Sequence, residues 1–198
     1  MERYMSGTTS LSIEDVIERI VAENERLRKF WSNAHGWAPG ASAQLLSEAR
    51  LDWQVALSHC LRLWVKPFTE HEGAGRLILG YANLGSLVEG TMKLFLAVYY
   101  EDYRLDPDVP KKQKKKLIDP ARLEFNPLRE FFEKKRILDK SWDAWIERIQ
   151  GRRNAIHAFK SRDIGTHEDL LRDIRRYLDL IECLNARLPY PEAEDPNC

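Results

Sequence analysis

Residues 77–100, LILGYANLGSLVEGTMKLFLAVYY, decide the fold. Leu77, Tyr81, Leu84, Val88, Met92, Phe95 and Tyr99 recur every three or four positions, which is the stripe of an α-helix. The segment is apolar around most of its circumference, so neighbours must surround it. It is not a membrane span. Asn83, Ser86, Glu89 and Lys93 interrupt it, and each ion near a bilayer centre costs roughly 3 kcal/mol. Gly80, Gly85 and Gly90 each weaken the helix by about 1 kcal/mol relative to alanine. Their expected use is close approach of other helices.

Outward from this centre, the other long segments have the same period. Ile13, Val16, Ile17, Ile20, Leu27 and Trp31 mark a first helix at about 12–33, with Ser12 as its cap. HGWAPG at 35–40 breaks the chain through two glycines and a proline. Leu45, Ala49, Trp53, Leu57, Leu61 and Trp64 give a second helix at about 41–65, ended near Pro67. The central helix runs over about 74–103. Residues 104–124 carry prolines and the block KKQKKK at 111–116, a composition of loops rather than helices. Asn126 before Pro127 reads as a helix start. Phe131, Phe132, Ile137, Leu138, Trp142, Trp145, Ile146 and Ile149 carry the pattern on to about 157. Thr166 with Asp169 forms a capping box for a last helix at about 167–187. The prediction is an all-α antiparallel bundle of five to six helices. It has N-terminal helices at 1–70, a bundle at 71–190 with its insertion at 104–124, and a disordered tail at 191–198.

The bulk numbers set bounds. A chain of 198 residues buries roughly 70% of its unfolded surface, enough for a core without staples. Thirty-one basic residues balance thirty-one acidic ones, so any attraction to nucleic acid must be local. Cys60, Cys183 and Cys198 are odd in number and far apart, which points to free thiols in a reducing, cytoplasmic setting. They form no zinc motif, and His157 and His167 lack ligand spacing. No cofactor or metal is expected. The N-terminal MERYMSGTTS has no apolar core for a signal peptide.

The chemistry concentrates in RRNAIHAFKSRDIG, residues 152–165. On a helix, Arg153 and His157 share a face, and Asn154 adjoins His157. Arg152 lies on a neighbouring flank. Two guanidinium forks and an imidazole suit a phosphate, since Arg binds its oxygens bidentately and His moves protons near neutrality. Metal-free RNA cleavage needs that set: a base for the ribose 2′-hydroxyl and cations for the developing charge.

This arrangement resembles the HEPN domains, small helical bundles marked by an R-x4-6-H motif. Arg152-x4-His157 has that spacing, and the stretch around Glu89 and Lys93 is similar to the central helix of such bundles. The resemblance covers about 74–187. It implies a homodimer whose two late helices meet, and a metal-independent endoribonuclease. In that reading His157 is the base, Arg152 and Arg153 hold the scissile phosphate, and Asn154 fixes the imidazole or ribose. Lys160 and Arg162 extend the positive rim, and Glu89 orients an arginine. The chain departs from the pattern in having Arg153 directly after Arg152, with Asn154 one position late. Some HEPN toxins carry a tyrosine two residues after the His, where a nucleotidyltransferase modifies them. Phe159 stands there in this chain, so no such partner is expected. Arg28-x6-His35 and Arg162-x4-His167 have the same spacing. Of these, His167 is expected at the first turn of the last helix.

The same residues have a plainer reading. His157 suits the negative end of a helix dipole, and Arg152 and Arg153 have Glu147 and Asp163 as available partners. The alternative function is a non-catalytic helical module that binds protein or nucleic acid.

Overall fold

The computed structural model describes residues 11–111, 117–157 and 161–191. These form eight α-helices and no strand, only an isolated antiparallel bridge between Lys111 and Leu117. The helices are α1 (Ile13–Trp31), α2 (Gly40–Glu48), α3 (Leu51–Trp64), α4 (Gly73–Val98), α5 (Tyr100–Leu105), α6 (Phe125–Lys134), α7 (Lys140–Arg153) and α8 (His167–Asn185).

Helix α4 is the axis. Its buried stripe includes Tyr81, Leu84, Leu87, Val88 and Met92, and α3, α7 and α8 pack along it. The three glycines set those approaches. A Cβ at Gly80 would lie 2.7 Å from a Leu170 methyl of α8. One at Gly85 would lie 2.8 Å from the Arg153 Cβ of α7. One at Gly90 would strike the Gln54 side chain of α3. Helix α1 packs on α3 and α8, so the N-terminal helices share one continuous core with the rest.

Eight helices replace the expected five or six because three long periodic segments are broken where no Gly or Pro announces it. Residues 41–65 part at Ala49, which is extended (ψ 133°). The break rotates everything after it. Trp53, expected in the core stripe, therefore turns outward and is 58% exposed. The Arg50 guanidinium stacks on it 4.0 Å from the ring centroid. Cys60 is half-buried for the same reason. Tyr99 (ψ 32°) separates α4 from α5.

The third break, after α6, is a Schellman-type stop. The Ile137 N–H bonds the Phe132 carbonyl and the Arg136 N–H that of Glu133. Arg136 takes the left-handed conformation, φ 51°, where glycine is usual. Arg136→Gly is expected to raise stability by about 1 kcal/mol, measured by urea unfolding. Helix α6 begins at Phe125 rather than at an Asn126 cap. Asn126 lies inside the first turn and bonds Glu130, while Pro127 sits where its missing N–H is not needed.

Two expected caps are present. Ser12 accepts from the Asp15 N–H, and Thr166 and Asp169 form the capping box. The 104–124 connection is anchored at both ends. Val109 and Leu123 are buried, the Tyr103 hydroxyl donates to the Ile118 carbonyl, and Lys135 pairs with Asp106 and Asp108. Most of the lysine block and residues 192–198 lie outside the described residues, as do Phe159 and Lys160.

Candidate functional site: the Arg152 network

Helix α7 ends at Arg153, and Asn154–His157 continues as one 3₁₀ turn packed on α4. The motif's residues point in different directions. Arg152 points into the bundle, with its side chain only 8% exposed. Its Nη1 donates to the Tyr81 hydroxyl (2.6 Å) and to Asp173 (3.3 Å). Its Nη2 donates to Asp163 (3.3 Å) and Asp169 (3.2 Å). Its Nε is buried and has no acceptor among the described residues. Every outward-pointing donor of the fork is therefore already used.

Asp173 is the second centre. Only 3% of its side chain is exposed, yet it takes four donors. The Tyr81 hydroxyl (3.0 Å), Trp145 Nε1 (2.9 Å), Arg148 (2.8 Å) and Arg152 all reach it. A buried carboxylate is tolerable only with such pairing. Burial and the adjacent Asp173 charge push the Tyr81 hydroxyl well above the ordinary tyrosine range. It therefore stays protonated, donating to Asp173 while accepting from Arg152.

The turn into α8 closes over the guanidinium. Gly165 adopts φ 68°, and a Cβ there would lie 2.5 Å from Arg152 Cζ. The Gly165 N–H and then Arg152 hold the Asp163 carboxyl below its usual range. The Thr166 N–H, then the Arg152 and Arg172 charges, do the same for Asp169.

The other predicted residues sit apart from this hub. Arg153 crosses to α4, where it pairs with Glu89 at 3.0 Å. Glu89 also pairs with Lys93 at 2.7 Å. The arginine that Glu89 meets is Arg153. Asn154 is the C-cap of α7, its N–H shared between the Arg152 and Gln150 carbonyls. His157 and Arg162 are exposed. His167 opens α8 behind the Thr166 cap, its ring 5.1 Å from Phe68. Glu147 reaches Arg129 rather than either motif arginine. Among the described residues, no group of three or more His, Cys, Asp or Glu side chains is placed to hold a metal ion. None of their helices is long and apolar enough to cross a membrane.

Asp169 and Asp173 were not singled out from the sequence as members of a cluster around Arg152. Asp173 carried a signal all the same. It lies three residues after Leu170 and four before Tyr177, so it falls on the buried stripe of α8, where a carboxylate demands partners. No family model matches the chain, and no curated protein or solved structure matches it either.

Proposed function

We propose that this chain is a HEPN-like helical interaction module in which the Arg152–His157 motif is architectural. The observation that carries this reading is the occupancy of Arg152 by Tyr81, Asp163, Asp169 and Asp173. A phosphate oxygen cannot reach the guanidinium without displacing carboxylates that already neutralise it. The geometry joins α7, α8 and the turn between them, which is the work of a clamp.

The second reading is the metal-independent endoribonuclease. It is favoured by one observation: His157 and Arg162 lie exposed on the connection between α7 and α8. In that reading His157 takes the 2′-hydroxyl proton, and a second copy across a homodimer supplies cations in place of the engaged Arg152.

The test is incubation of a mixed RNA pool in EDTA with wild type and with His157→Ala, both shown to be folded by circular dichroism. The expected result is no cleavage that separates the two proteins. Cleavage by wild type alone, leaving 2′,3′-cyclic phosphate ends, would overturn the module reading and assign His157 as the base.

A further inference from the structure

The carboxylates that meet the Arg152 guanidinium are not held alike. The Asp173 side chain is 3% exposed and also takes Tyr81, Trp145 and Arg148. That of Asp169 is 22% exposed, belongs to the capping box of α8 and pairs with Arg172. That of Asp163 is 76% exposed and stands on the connection, outside any helix. Among the described residues its donors are Arg152 Nη2 at 3.3 Å and the Gly165 N–H at 2.9 Å. One oxygen takes the guanidinium and the other takes the backbone.

We propose that Asp163 is the built-in occupant of a carboxylate site, and that an acidic side chain of a partner protein takes its place. The inference rests on the reading of the chain as an interaction module.

The donor pair is the first support. A buried guanidinium N–H and a backbone N–H converge, and the two oxygens of one carboxylate satisfy both. The convergence depends on Gly165. At φ 68° its backbone lies against Arg152, where a Cβ would sit 2.5 Å from Cζ. Glycine adopts that conformation without strain and leaves the space.

Charge is the second. In the bonded set, Arg148, Arg152 and Arg172 face Asp163, Asp169 and Asp173, so the sum is zero. Arg162 and Glu168, exposed on either side of the turn, offset each other. Arg176 has Asp139 and Asp179 near it besides Asp173. With Asp163 withdrawn, the set carries one positive charge. A single carboxylate restores neutrality, and a phosphate dianion overshoots it.

Access is the third. Asp163 and Thr166 are exposed, so the site faces solvent. The cap of α8 uses Thr166 and Asp169, not Asp163, so Asp163 can leave without unwinding a helix. As part of the same chain it competes at an effective concentration in the mM range. A dilute free carboxylate therefore does not displace it. A partner's acidic side chain does, because it is itself held in place by the contacts around it.

Chemical rescue tests this. Asp163→Ala empties the site while Asp169 and Asp173 stay on the guanidinium, and acetate stands in for the partner's side chain. Thermal unfolding is followed at neutral pH in acetate and in chloride, as sodium salts of matched ionic strength. Wild type and Asp52→Ala are run beside it, the latter lacking an exposed carboxylate paired with Arg50. Acetate should raise the melting temperature of Asp163→Ala over chloride by roughly 2 °C more than it raises either control, in a saturating manner. Asp163→Ser serves in the same way should the alanine variant not fold. Equal shifts in all the proteins overturn the inference. So does a gain over wild type that is larger in inorganic phosphate than in acetate, which assigns the site to a phosphoryl group. Neither result depends on RNA cleavage, so the module reading and this site fail separately.

Discussion

Arg152→Ala will cost about 3–5 kcal/mol of stability, the penalty for breaking a buried ion pair from one side. The loss exceeds that of an exposed pair because of what stays behind. Asp173 keeps Tyr81, Trp145 and Arg148 as donors, but Asp163 loses its guanidinium partner and Asp169 keeps only Arg172 beside the capping backbone. Three carboxylates then surround a cavity that held a cation. Chemical unfolding measures this directly. A drop below about 1 kcal/mol, the scale of a surface ion pair, would contradict the buried network. Asp173→Asn should destabilise as well, and the double variant should lose less than the sum of the two, since both act on one set of bonds.

The pH dependence follows from the same groups. Asp163 and Asp169 have folded pKa values below their unfolded ones. Between those values the unfolded chain binds more protons, so acid favours unfolding. The stabilisation is complete above about pH 4 and fades as pH falls through the depressed folded values. In Arg152→Ala the backbone bonds from Gly165 and Thr166 persist while the guanidinium charge is gone. Its stability should therefore fall less steeply with acid than that of wild type.

Gly85→Ala is expected to destabilise the protein by about 1–3 kcal/mol, although alanine is the better helix former. The added methyl would meet the Cβ, Cγ and Cδ of Arg153 within 3 Å. The Cβ is fixed to the α7 backbone and cannot swing aside as a side-chain end can. Helix α7 must move away from α4, which strains the Arg153–Glu89 pair and the Arg152 bonds one residue earlier. Gly75→Ala, in the same helix with open space around it, is the control and should gain stability by up to about 1 kcal/mol. Thermal unfolding of both variants gives the comparison. Equal gains at the two positions would show that α4 and α7 do not touch as described.

The sequence by itself determined the helical class, the dominance of α4 and the purpose of its glycines. It also determined the Ser12 and Thr166 caps. All of these are local, or follow from a period of 3.6 residues, and a one-dimensional pattern preserves them. Where helices stop without Gly or Pro was not legible. Ala49 and Arg136 break theirs because packing outweighs propensities of a few tenths of a kcal/mol. Trp53 faces outward as a consequence of the break at Ala49. Nor was the division within RRNAIH legible. Arg152 and His157, five residues apart, lie on different flanks even of a regular helix, and three aspartates from the connection and from α8 collect on Arg152. Only tertiary structure decides which of two adjacent arginines meets a carboxylate inside the bundle. Burying a guanidinium is unfavourable until Asp163, Asp169 and Asp173 arrive from another helix and its cap, and no local pattern around Arg152 records their arrival.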